Sequence, residues 1–129
     1  MNTTLLIANA LVFLTFIAHT FGGDKEYRNF EPTEVDTKKM QNWLMGRGAF
    51  HIVSIDFLFA SIGLALITFT DYFKDPKLLL NILSIYFLGY GLAFLITLII
   101  SKKFPNSFFK LGQWLLLILI AGMIYLGNQ

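Results

Sequence analysis

Cysteine is absent from the chain. That excludes disulfides, thiolate metal sites and cysteine nucleophiles together. Charge is scarce as well: Asp, Glu, Lys and Arg make up 14% of the 129 residues, against about a quarter in an ordinary soluble domain. With 56% hydrophobic residues, the chain has too little polar side chain to cover its apolar surface in water, and the bilayer is the solvent that suits it. The net charge of +2 is small and its carriers form no stripe, so nucleic acid is not expected as a partner. A nucleophile elbow, a Gly-rich phosphate loop, an H-E-x-x-H pair and an acidic metal cage are all missing. These absences weigh against an enzyme without excluding one. His51 with Asp56 is the one acid–base pair open to it, and five positions apart on a helix the two do not point the same way.

What is abundant is long apolar sequence. A spanning helix needs roughly 20 mainly apolar residues, and four stretches qualify: about Thr4 to Gly22, Gly48 to Thr70, Leu78 to Ile100, and Ser107 to Leu126. The first has no basic stretch before it, and Ala8-Asn9-Ala10 falls too early for a cleavage site, so it reads as a retained span rather than a signal peptide. The expected fold is all-α: one domain over residues 1–129, an integral membrane four-helix bundle of up-down topology. Loop one adds a short interfacial helix, "PTEVDTKKMQNWLM", with Thr33 as N-cap, Glu34 and Asp36 in its first turn, and Met40, Trp43 and Leu44 on one face toward the membrane surface. Gly46 and Gly48 then let the chain turn into the second span. Gly89 with Ala93 and Ser61 with Ala65 are small-residue pairs that permit close helix contact, and Trp43, Trp114 and Tyr125 suit interfacial anchoring.

Basic residues set the orientation. Loop one carries Lys25, Arg28, Lys38, Lys39 and Arg47, and loop three carries Lys102 and Lys103 with Lys110 just beyond. Loop two offers Lys74 and Lys77, and neither tail has any. The positive-inside rule places loops one and three in the cytoplasm and both termini outside, the orientation expected in a cytoplasmic (inner) membrane.

Ionisable residues inside a span are functional candidates by default. His19 lies near the end of the first span and His51 near the start of the second, so both are expected at one level, near the cytoplasmic face. Thr97 and Gln113 fall in or near that layer. Arg47, His51 and Ser54 share one helix face. Asp56 is the deepest charge, about 12 Å below Gly48 at 1.5 Å per residue, with Tyr90 and Thr15 as candidate partners.

Several readings of this cluster stay open. His19 and His51 could hold a metal ion, imidazole suiting Zn, Cu, Ni or Fe, with Glu26 or Asp56 adding oxygen. The blander reading, two hydrogen-bonded histidines between helices, carries more weight, because two His without Cys are a weak metal signature. A b-type haem needs ligands on opposite sides of a wide ring, which adjacent helices do not provide. A small polar or anionic solute could enter past Arg47, His51 and Lys110, with Asp56 behind as proton acceptor for coupled transport; snorkelling to head groups is the plainer fate of each cation alone.

Two short patterns, "HTFGGDKE" at His19 and "RGAFH" at Arg47, resemble a set of small four-span bacterial membrane proteins of unassigned function. Those pair a His–x3–Gly–x2–Glu end of the first helix with an Arg–x3–His start of the second, matched here by His19, Gly23, Glu26, Arg47 and His51. The resemblance covers about the first half of the chain. It implies no activity but treats these residues as one cluster. The function expected is an accessory or interaction subunit of a larger membrane assembly, with the lipid bilayer and either other membrane-protein subunits or a second copy in a homodimer as partners. The alternative is binding or proton-coupled transport of a polar solute or metal ion at His19, His51 and Asp56.

Overall fold

The computed structural model describes residues 2–33, 37–101 and 106–129. All regular structure among them is helical. Helix α1 spans Thr3–Ile17, passes without a break into a π-helical segment, Ala18–Gly23, and continues as α2, Asp24–Arg28. Helix α3 spans Thr37–Phe69, α4 Lys77–Ile100, α5 Ser107–Lys110 and α6 Gln113–Gly127. Three of these runs are long and apolar enough to cross a membrane: Thr3–Arg28, Thr37–Phe69 and Lys77–Ile100. At 1.5 Å per residue they reach about 39, 50 and 36 Å, all more than the roughly 30 Å of a hydrocarbon core.

Two expectations about helix ends are corrected. The chain does not break at Gly46 and Gly48, and no separate interfacial helix precedes the second span: α3 is continuous for 33 residues. A glycine inside a helix costs only about 1 kcal/mol relative to alanine, and Gly46 recovers that by packing, as shown below. The cap expected at Thr33 depends on Glu34 to Asp36, which, like Lys102 and Lys103, lie outside the described residues. The fourth apolar stretch, by contrast, is interrupted. After the single turn of α5, Leu111 and Gly112 leave the helix and α6 begins at Gln113, a helix of 15 residues.

The chain divides into two compact units, Met1–Ala8 with Leu64–Gln129, and Asn9–Gly63. In the first, α4 and α6 pack antiparallel. Leu80, Ser84, Phe87, Gly91 and Leu98 form the buried stripe of α4, stepping by four, three, four and seven residues along one seam. Ser84 Oγ donates to Ala121 O at 2.9 Å. A Cβ on Gly91 would lie 3.1 Å from Trp114 O and 2.7 Å from Ile118 Cγ1, so this glycine sets how near the helices come. The expected Gly89 does not: nothing lies within 4 Å of the position its Cβ would take. Asn128 Nδ2 donates to Asn81 Oδ1 at 2.8 Å and ties the end of α6 to the start of α4. Asn2 caps α1, its Oδ1 accepting from the amides of Thr4 (3.0 Å) and Leu5 (3.2 Å), groups the helix itself leaves without partners.

The second unit is a helical hairpin. Asn9 meets Ser61, His19 meets Ser54, Asp24 meets Arg47, and Tyr27 meets Trp43. Numbers rise along one strand of this series as they fall along the other, so α1, the π segment and α2 run antiparallel to α3. On α3 the inward residues Trp43, Arg47, Phe50, Ser54, Phe57 and Ser61 step by four and three, a seven-residue repeat. Deep in the hairpin Ser61 Oγ donates to Asn9 Oδ1 at 3.2 Å, both residues being buried. Elsewhere threonine hydroxyls turn back on their own helix, as Thr15 does to Leu11 O at 2.7 Å, which satisfies the group where no water is at hand.

Candidate functional site: an ion cluster on an aromatic ladder

The polar end of the hairpin is built around Asp24, the first residue of α2. Arg47 grips its carboxylate with both arms of the guanidinium, Nε donating to Oδ1 at 2.8 Å and Nη2 to Oδ2 at 3.1 Å. His51, one turn along α3, places Nε2 3.0 Å from Oδ1 and donates to it. Arg28, one turn along α2, brings its Nε to 3.3 Å from Oδ2. Two pairs at i, i+4 spacing, 24 with 28 and 47 with 51, thus converge on one carboxylate. The Asp24 side chain keeps only 13% of its surface, whereas His51 retains 44% and Arg28 56%. A bidentate guanidinium–carboxylate pair fixes orientation as well as distance.

Beside the ions lies a ladder of rings. His19 stacks on Phe50, centroids 3.7 Å apart and planes within 10°, and meets the edge of Phe57 at 5.3 Å. Phe50 also stacks on Tyr27 (5.9 Å), and Tyr27 on Trp43 (6.3 Å). The Arg47 guanidinium carbon stands 5.4 Å from the Trp43 ring centre, a cation over the face of the best π donor. Trp43 Nε1 donates to Tyr27 O at 3.3 Å. Trp43 is therefore a buried rung, not the membrane-surface anchor expected of it: the hairpin continues past the apolar sequence, and the indole closes it there. His19 Nδ1 lies 3.0 Å from the hydroxyl of buried Ser54. That hydroxyl in turn donates to Phe50 O at 3.4 Å.

Two glycines let the rungs approach. A Cβ on Gly23 would run into the Phe50 ring, and one on Gly46 into the Tyr27 hydroxyl. Gly46 is thus a packing glycine rather than a turn, while Gly48 has open space around it.

The structure brings His19, Gly23, Arg47 and His51 together but does not use Glu26. That side chain is exposed, and Asp24 is the acid of the cluster. The substitution has a geometric cause. In a regular helix His19 and Asp24 would diverge by about 140°, at 3.6 residues per turn. The π-helical segment that carries His19 and ends just before Asp24 widens the turn so that residues five apart are neighbours, and both reach α3. The two imidazoles take different partners, Ser54 and Asp24, and share only the ring of Phe50, which His51 meets edge-on at 5.9 Å. Among the described residues no group of three His, Asp or Glu side chains is placed to hold a metal ion. Asp56 is half-buried two residues beyond Ser54. Tyr90, Thr97 and Gln113 belong to the other unit. There Tyr90 and Tyr86 join hydroxyls at 2.7 Å, Thr97 Oγ1 donates to Ala93 O at 2.9 Å, and Gln113 is exposed at the start of α6.

No family model, no curated protein and no solved structure matches the chain.

Proposed function

We propose that the chain is a small integral membrane protein crossing the bilayer four times, and an accessory or interaction subunit of a larger membrane assembly. The three long apolar helices support membrane residence, and α6 is the candidate fourth span. At about 22 Å it is shorter than the hydrocarbon core, a mismatch that thinning or a neighbouring helix would relieve. In this reading the basic loops one and three face the cytoplasm, and the first turns of α3 with α2 stand at or beyond the head groups of the inner membrane.

One observation carries the reading. The polar groups of the cluster are committed to one another: Asp24 to Arg47, His51 and Arg28, and His19 to Ser54. A cluster closed in this way holds two helices in register. Meanwhile many large apolar side chains face outward, among them Phe13, Ile52, Ile55, Phe59, Ile85 and Ile96, a surface for lipid and for other spans.

Purification in mild detergent from its native membrane should return the chain with one stoichiometric protein partner, and no metal or haem in elemental and visible spectra. His19→Ala and His51→Ala should alter stability without changing solute uptake into vesicles. A chain that purifies alone, with a stoichiometric ligand lost in both variants, would overturn the proposal in favour of binding or transport. Sidedness has its own check. Because cysteine is absent, single cysteines at Lys25 and Lys74 should label from opposite faces of intact cells.

A further inference from the structure

The π-helical segment Ala18–Gly23 is the least regular part of the hairpin; it contains His19 and runs directly into Asp24, the two residues that reach Ser54, Arg47 and His51 of α3. Its six residues include Gly22 and Gly23, and none of the six is buried as a residue. The hydroxyl oxygen of Thr20 within it is nevertheless shut off from solvent without a hydrogen-bond partner. Wide turns of this kind are rare and occur mostly as single bulges in α-helices. Here the bulge keeps Asp24 on the same face as His19. Relaxing it to an α-helix, with the residue count unchanged, would rotate α2 by about 100° relative to α1. Asp24 would leave Arg47 and His51, and Tyr27 would leave Trp43 and Gly46.

We propose that this segment is a two-state element, and that the Asp24 cluster is the latch holding it in the wide form. The latch draws on groups from both packed elements: Asp24 and Arg28 on α2, Arg47 and His51 on α3. When it opens, α2 turns, the aromatic ladder parts between Tyr27 and Trp43, and Arg47 and His51 lose their shared anion. The segment between the glycines and the first turns of α3 then presents a different face to whatever lies outside the bilayer. His19, the second residue of the segment, is held by its stack on Phe50 and its bond to Ser54 and stays in place. The device is therefore local to the end of the hairpin.

The test exploits the absence of cysteine. Spin labels at Lys25 and Gln41, both exposed, report the end of the hairpin; labels at Phe13 and Phe59, also exposed, report its stem. With the full chain in lipid vesicles, pulsed electron resonance should give one distance for each pair. Asp24→Asn should add a second population for the 25–41 pair and leave the 13–59 pair unchanged. A rotation of about 100° moves a side chain at roughly 5–6 Å radius by about 8 Å, which such measurements resolve. Deleting Gly22 should abolish the effect. It removes the extra residue, sets His19 and the carboxylate four apart in a regular helix, and leaves nothing to relax. Asp24→Asn in that background should then give a single 25–41 distance. A single unchanged 25–41 distance in Asp24→Asn would overturn the proposal. So would a change in the stem pair, or a second population that survives the deletion.

Discussion

The two histidines have unequal surroundings, so their removal should have unequal cost. His19 contributes a close stack on Phe50 at 3.7 Å, an edge contact to Phe57 at 5.3 Å and a bond to Ser54 at 3.0 Å. Each ring pair is worth about 0.5–1.5 kcal/mol and the bond about as much. With the space left behind only partly refilled, His19→Ala should destabilise the protein by about 2–4 kcal/mol. Ser54 is not orphaned, because its hydroxyl still reaches Phe50 O, which keeps the figure below the worst core truncations. His51 makes one bond and remains 44% exposed, while Arg47 continues to hold Asp24. Screening limits such a contact to about 0–1 kcal/mol. His19→Phe should recover much of the loss, since it keeps the stack and forfeits only the bond, about 1 kcal/mol. The assay is reversible unfolding of the detergent-solubilised chain, monitored by circular dichroism across a denaturant series. Equal losses for His19→Ala and His51→Ala, or no recovery with His19→Phe, would refute this reasoning and favour a ligand shared by both rings.

Three further outcomes follow from particular contacts. Gly48→Ala should stabilise by up to about 1 kcal/mol through helix propensity, whereas Gly46→Ala should cost about 1–3 kcal/mol because its Cβ meets the Tyr27 hydroxyl; the two melting curves separate them. Ser61→Ala should cost about 0.6 kcal/mol and at most about 1.7, the range found for hydrogen bonds between membrane helices, and Asn9→Leu beside it should restore part of that loss in the same unfolding assay. Gly91→Ala should cost about 1–3 kcal/mol by pushing α6 from α4, since its Cβ meets backbone at Trp114 and Ile118, and Gly89→Ala should cost nothing on the same scale.

Helical content and three of the apolar runs were legible from hydrophobicity alone, because a span of some 20 apolar residues has few other readings. The meeting of His19, Gly23, Arg47 and His51 was legible too: i, i+4 spacing on one helix and placement near the end of the other bring them to one level. Asp24 was not. Reading it required the wider turn of Ala18–Gly23, and nothing in a count of apolar residues at α-helical spacing reveals one added residue. The two adjacent glycines were the available signal. Trp43 was misplaced for a related reason, because the hairpin runs on past its apolar part and a tryptophan there is as able to close a seam as to anchor at a surface. Gly46 looked like a turn because glycine alone does not distinguish a bend from a close approach; the partner ring lies nineteen positions earlier in the chain. The interruption at Leu111 and Gly112 was masked by the apolar residues on either side of it.

The account depends on Asp24 and Arg47 acting as one unit that ties α2 to α3. A double-mutant cycle with Asp24→Asn and Arg47→Gln, read as melting temperature in lipid vesicles, tests that directly. Each single change should lower the melting temperature, and the double variant should melt no lower than the less stable single. Losses that simply add would contradict the account.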